Sequence, residues 1–128
     1  MEFTMKKQLS SSYDAALEQI PEALKAEGFG VLTEIDVKDT LKKKIGADFR
    51  RYKILGACNP KLAHEALSFR LDIGAMLPCN VVVYEGDDGR AVVHAIDPSA
   101  TVASADPKLL PIATTVKEKL SRVLESLR

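Results

Sequence analysis

Residues 52–85 constrain the fold more than any other stretch: YKILGACNPKLAHEALSFRLDIGAMLPCNVVVYE. Asn59-Pro60 is a strong helix start, because asparagine caps well and proline at the first helical position loses no hydrogen bond. The apolar segments YKILGAC and VVVY on either side of this helix are typical of strands. The stretch therefore predicts strand, helix, strand, with Cys58 ending the first strand and Cys79 opening the second.

The spacing of apolar residues predicts the remaining elements. Strands are predicted near 3–9, 29–37 and 90–96, the last joined to VVVY by a hairpin turn at EGDDG. Helices are predicted near 13–27 and 40–45 and at the end of the chain. The last helix could start at Asp106-Pro107 or, because Pro111 conflicts with so early a start, as late as Leu110. Pro21 predicts a kink in the first helix or a break into two, because proline removes a backbone hydrogen bond. Asp39 is predicted to cap the second helix. Residues 98–107 are predicted to be a short linker.

The order β-α-β-β-α-β-β-α predicts a two-layer α+β fold. Neighbouring strands joined by short turns favour a mostly antiparallel sheet of about five strands with helices packed on one face. The chain, residues 1–128, has the size of a single domain. The other face of such a sheet stays open. Leu32, Leu55 and Ala57 are predicted to lie on that face, where they would favour a homodimer.

The charge balance excludes some classes of partner. Eighteen basic residues match eighteen acidic ones, so no electrostatic attraction to nucleic acid or an anionic membrane is expected. No apolar run approaches the ~20 residues of a membrane span. The N-terminal residues lack the apolar core of a signal peptide, so a cytoplasmic location is expected, and two cysteines fit a reducing compartment.

Cys58 and Cys79 are the first candidate site. As a pair at one end of the sheet they could bind a soft metal, form a reversible disulfide or carry sulfur, and a cysteine near a helix N-terminus has a lowered pKa. Against this, free cysteines usually behave as small buried apolar residues. Their spacing is also far from a CxxC motif. The sequence favours packing over chemistry, and predicts no metal and no cofactor.

Glu34 and Asp36 are the second candidate site. Two carboxylates two residues apart on a strand project from one face, which would suit acid–base chemistry or a hard cation. The competing interpretation is a set of cross-strand ion pairs with Arg51 and Lys53, which stabilise a sheet. The ion pairs are the favoured interpretation.

Weaker candidates carry no clear signature. His64 falls at the edge of the apolar stripe of its helix, and nothing near His94 in sequence orients its ring. Residues 42–44 form a lysine run without interleaved aromatic residues, which is typical of a solvated helix face. The chain contains no P-loop, GxGxxG, GxSxG or HExxH motif.

Three phrases, EGFGVLTEIDVKDTLKKKIG, YKILGACNPKLAHEAL and LPCNVVVYE, resemble the bacterial and archaeal family called "domain of unknown function 302". The CNP and LPC phrases are the most specific, and the resemblance spans nearly the whole chain. It implies a compact α+β domain that tends to form homodimers. It implies no activity, because the family is named for lacking one.

The leading hypothesis is a homodimeric small domain that binds a small ligand or partner in a cleft near the sheet ends. The alternative is a thiol-based redox, sulfur-handling or soft-metal-binding protein that uses Cys58 and Cys79. A carboxylate enzyme using Glu34 and Asp36 is a third possibility. Whether the protein is an enzyme is left open by the sequence.

Overall fold

Two long helices pack on one face of a five-stranded sheet in the computed structural model, which describes residues 2–128 and, over 102–105, the backbone alone. The elements in chain order are β1 (Thr4–Ser12), α1 (Tyr13–Ala26), β2 (Gly30–Asp36), α2 (Val37–Ile45), β3 (Tyr52–Cys58), α3 (Pro60–Phe69), β4 (Cys79–Glu85), β5 (Arg90–Ile96), α4 (Pro98–Ala105) and α5 (Leu110–Ser126). Short 3-10 turns lie at Leu71–Met76 and Pro107–Leu109. The strand order is β1-β5-β4-β3-β2 and every pair is antiparallel, which confirms the predicted α+β class.

The core lies between the sheet and helices α1 and α5. Alternate residues of the three central strands face the helices, and they are buried together with the apolar stripes of both helices. The residues of this core that decide the orientation of the sheet are Leu55, Ala57, Val81, Val83, Ala91, Val93 and Ala95.

The prediction that Leu55 and Ala57 lie on the open face is wrong. They are 3% and 0% exposed and belong to the core, so Tyr52 and Ile54 face away from the helices instead. The strand YKILGAC is apolar on both faces, and alternation alone does not say which face meets the helices. Leu32 is 66% exposed, because a bulge between Val31 and Thr33 displaces it from the ladder.

Of the two predicted helix N-caps, the one of α3 is confirmed and the one of α2 is wrong. Asn59 caps α3 as predicted, since its Oδ1 accepts a hydrogen bond from the Leu62 N–H at 3.3 Å. Asp39 does not cap α2; the cap is Asp36, whose Oδ1 accepts from the Asp39 N–H at 2.9 Å. α2 therefore begins at Val37, earlier than predicted.

The prolines and the predicted linker test further sequence predictions. Pro21 lies inside α1, which is one helix and not two. Pro111 occupies the first turn of α5, which begins at Leu110, the later of the two starts that the sequence allows. The predicted linker is wrong over its first eight residues, where the backbone forms α4 (Pro98–Ala105). Asp97 precedes this helix and accepts a hydrogen bond from the Ser99 N–H at 3.0 Å.

No helix within residues 2–128 has both the length and the apolar character required to cross a lipid bilayer.

Candidate functional site

A cavity of about 50 Å³ lies where β3 ends and β4 begins. Its walls come from α3, the 3-10 turn at Leu71–Met76 and the first two turns of α5, and it is partly open to solvent. Leu62, Ile112 and Val116 are among the large side chains that surround it. The cavity therefore occupies the position near the sheet ends where the sequence predicts a ligand cleft.

Both cysteines line this cavity. In the β3–β4 register Ala57 is opposite Cys79, so Cys58 lies one residue beyond the pair. Both thiols are free and partly buried. Burial, together with the nearby Cys58, raises the pKa of Cys79 to about 11. At neutral pH Cys79 is an uncharged thiol and behaves as a small apolar wall group.

Among the described residues, Asn59 is the one amide at the cavity wall, and its side chain already forms two hydrogen bonds. Its Oδ1 accepts from the Leu62 N–H, and its Nδ2 donates to the Glu27 carbonyl oxygen at 3.4 Å. Apart from this amide and the two thiols, the described side chains that line the cavity are apolar. The wall therefore favours an apolar group and gives a polar group little to bind.

Glu34 and Asp36 lie apart from the cavity on the edge strand β2. The Glu34 carboxylate accepts from Lys53 Nζ at 2.7 Å, as the ion-pair interpretation predicts, whereas Arg51 pairs with other carboxylates instead. Asp36 serves as the cap of α2. Each carboxylate thus has a structural partner, and nothing in the described residues brings the pair to the cysteines.

The two histidines occupy different environments. His64 is exposed on α3. His94 lies on the open face, where hydrogen bonds join its Nδ1 to Thr4 Oγ1 at 2.9 Å and its Nε2 to the Tyr84 hydroxyl at 3.1 Å. Sequence reasoning missed these contacts, although the hairpin register, which places Val82 opposite His94, would have brought Tyr84 close to it.

The lysine run of α2 is partly neutralised by local ion pairs. Lys42 pairs with Asp48 at 3.1 Å, and Lys43 pairs with Asp39 at 3.0 Å. Among the described side chains, no group of three or more His, Cys, Asp or Glu residues converges in a way that could hold a metal ion.

Comparison with known proteins places the chain in a family. The model of the family described as domain of unknown function DUF302 matches residues 5–127. The chain belongs to the DUF302 family. A crystal structure of an uncharacterized conserved DUF302 protein from Bacillus stearothermophilus is 34% identical to it, with a TM-score of 0.92 and 100% of each chain covered. None of the curated proteins matches the chain.

Membership of DUF302 confirms the resemblance inferred from the CNP and LPC phrases. The structural match also shows that the fold is shared with the Bacillus stearothermophilus protein. Neither the DUF302 description nor that of the solved structure names an activity. The function must therefore be argued from the cavity and the surfaces of this chain.

Proposed function

We propose that this DUF302 protein binds a small ligand by taking its apolar end into the cavity at the sheet end. The observation that carries the proposal is the wall, which is built from apolar side chains and two thiols around a partly open space. Apolar surface removed from water contributes about 25 cal/mol per Å² to binding. Water in such a space lacks hydrogen-bonding partners, so an apolar group displaces it without loss.

The size of the cavity limits the ligand class. An apolar cavity of about 150 Å³ binds benzene, whereas this one measures about 50 Å³. A short alkyl chain fits such a space better than a ring. We therefore assign the ligand an unbranched apolar tail, with any polar group left at the mouth beside Asn59.

A series of primary alcohols tests the assignment. From methanol to 1-propanol, we expect the affinity to rise about fourfold per added methylene, since each buried CH₂ contributes about 0.8 kcal/mol, and to level off for longer alcohols once the cavity is full. Titration by two-dimensional NMR reports both the affinity and the place, with shifts expected at Leu62, Ile112 and Val116. Affinity that does not depend on chain length would contradict the proposal.

A variant that fills the cavity provides the matched control. Ala113 is 3% exposed and lines the space. Ala113→Val adds two methyl groups there, so it should abolish alcohol binding while leaving the free energy of unfolding unchanged or raised by up to about 1.5 kcal/mol. If Ala113→Val loses folding as well as binding, the side chain has overpacked the core and the result does not support the proposal. Ala66→Val, which fills the same cavity from α3, then repeats the test.

The alternative, thiol chemistry at Cys58 and Cys79, is supported by the fact that both line one cavity. The raised pKa of Cys79 opposes it, because at pH 8 a thiol with a pKa near 11 is about one part in a thousand thiolate. We expect iodoacetamide to label Cys79 far more slowly in the folded protein than in guanidinium, as measured by peptide mass spectrometry. Equal rates would instead favour the thiol function.

We also propose that the protein is a homodimer formed through β2. β2 is an edge strand with unpaired backbone groups, and Leu32 and Ile35 are 66% and 46% exposed on it. Pairing of β2 with its copy is self-complementary, as a twofold interface requires. A cytoplasmic location stays a prediction.

Sedimentation at micromolar concentration tests the homodimer. We expect a dimer for the natural sequence and a monomer for Leu32→Asp, which places a charge at the proposed interface. Leu71→Asp is the matched control, since Leu71 is 87% exposed and lies outside β2. A natural sequence that sediments only as a monomer would contradict the proposal.

A further inference from the structure

Residues 60–76, which comprise α3 and the 3-10 turn after it, form part of the cavity wall but are packed lightly onto the rest of the molecule. Within this segment, all of which the structure describes, Ala66 and Ile73 are the only buried side chains. By contrast, α1 and α5 bury four and five residues. The outer surface of the segment, which includes Phe69 and Leu71, is exposed. We refer to residues 60–76 as the lid.

The cavity lies between two apolar clusters, and the lid belongs to the smaller one. No buried residue of the main core comes from the lid; Leu62 touches that core as a partly buried side chain. Ala66 and Ile73 pack with Leu109 in the second cluster. Because part of the space between the clusters is already empty, an outward movement of the lid removes few apolar contacts with the main core.

Two side-chain contacts hold the two ends of α3. At its start, the Asn59 side chain accepts from the Leu62 N–H and donates to the Glu27 carbonyl oxygen at 3.4 Å. At its end, Arg70 Nη1 lies 3.4 Å from Asp106 Oδ2, on the segment that leads into α5. The Arg70 side chain is 42% exposed, and ion pairs at such positions are weak. The Arg70–Asp106 pair is therefore a latch that opens at little cost.

We propose that the lid opens to admit the ligand and closes over its apolar tail, so that α3 gates the cavity. The inference rests on the proposed function for the identity of the ligand, whereas the opening is a property of the free protein. An open lid removes the part of the wall that Leu62, Ala63 and Ala66 supply. The ligand therefore binds the closed state better, and binding shifts the population toward it.

Amide hydrogen exchange, read by two-dimensional NMR, measures the opening in the ligand-free natural protein. We expect the amides of α3 to exchange at least about tenfold faster than the most protected amides of α5, because a segment with few buried contacts opens before the whole protein unfolds. Exchange in α3 as slow as in the core of α5 would overturn the lid, whether or not the cavity binds an alcohol.

Addition of 1-propanol tests whether the opening gates the cavity. At three times the dissociation constant found by NMR titration, exchange in α3 should slow about fourfold, since the open state does not bind. α2 is the matched control, because it has nine residues, buries none of them and lies outside the cavity wall, so its exchange should not change. Unchanged exchange in α3 with propanol bound, or equal slowing in α2, would overturn the gating. If propanol does not bind, the proposed function fails, and the ligand-free measurement still decides whether the lid opens.

Asp106→Asn tests the latch. It removes the charge that pairs with Arg70 but keeps an oxygen that can accept from the Lys108 N–H, as Asp106 does at 3.0 Å. We expect exchange in α3 to become about two- to fivefold faster, the effect of losing a weak ion pair. Asp48→Asn removes an exposed pair with Lys42 outside the lid and should leave exchange in α3 unchanged. Equal effects of the two variants would show that Arg70 and Asp106 do not hold the lid.

Discussion

Leu120→Ala should lower the free energy of unfolding by about 2–5 kcal/mol, the range for removing a buried leucine side chain. Leu120 is 0% exposed and lies on α5 within the main core. The loss combines the transfer free energy of the removed carbons with the cavity that the neighbouring residues fail to close. Urea titration followed by circular dichroism measures the change.

Leu110→Ala is the matched control on the same helix. Leu110 is 46% exposed, and substitutions at such positions usually change stability by no more than about 0.5 kcal/mol. The two variants share the chemistry of the substitution and differ in burial. Similar losses in both would contradict the placement of α5 against the sheet.

Gly56→Ala should lower the free energy of unfolding by about 1–3 kcal/mol, the usual cost of inserting a carbon into a packed site. A Cβ at Gly56 would lie 2.7 Å from the ring carbon Cγ of Pro78. It would also collide with the Thr33 hydroxyl oxygen. Both contacts are shorter than real Cβ atoms show, and a proline ring has little freedom to move away.

Gly30→Ala controls for the backbone effect of removing a glycine. A Cβ at Gly30 meets nothing within 4 Å, and this residue pairs with Cys58 on the neighbouring strand. Alanine at a compatible position stabilises by about 0.4–1 kcal/mol through the unfolded chain. We therefore expect opposite signs at the two glycines, measured by the same urea titration. Equal signs would show that Gly56 is not sterically closed.

The close packing at Gly56 also bears on the cavity. Pro78 contributes to the cavity wall and directly precedes Cys79. Since the Pro78 ring lies against the Gly56 backbone, the glycine fixes the position of that wall. A partial loss of alcohol binding in Gly56→Ala would follow from this arrangement.

The boundaries of several helices and strands could be predicted from the sequence, because capping and turn residues determine them locally. Asn59-Pro60 predicted the start of α3, Pro111 the start of α5, and the residues EGDDG the hairpin between β4 and β5. α4 was missed, because residues 98–105 are mostly small and lack an apolar stripe. α4 lies against α5, a contact that the local sequence does not reveal.

The faces of the strands required the tertiary structure. β3 carries apolar residues on both sides, so only the helices distinguish Leu55 from Ile54. In β2 the bulge at Leu32 shifts the alternation by one residue, which moves Ile35 to the face opposite from that of Val31. A single inserted residue of this kind is not visible in the alternation of the sequence.

The sequence predicted where the two cysteines lie, but it did not predict that they line an apolar cavity. Placing Cys58 and Cys79 at facing strand ends followed from the predicted strand, helix, strand order. That both line one apolar cavity depends on the β3–β4 register and on α5, which is far away in sequence. The stacked rings of Tyr52, Tyr84 and His94 likewise join three strands and have no local signature.

Crystals of the protein pressurised with xenon would show directly whether the cavity at the sheet end accepts an apolar occupant. Xenon is apolar, small and visible by its anomalous scattering. We predict a xenon site inside the cavity, in van der Waals contact with Cys79 and Leu62, and no such site in Ala113→Val. Ordered water hydrogen-bonded within the cavity, with xenon bound only elsewhere, would contradict the proposed function.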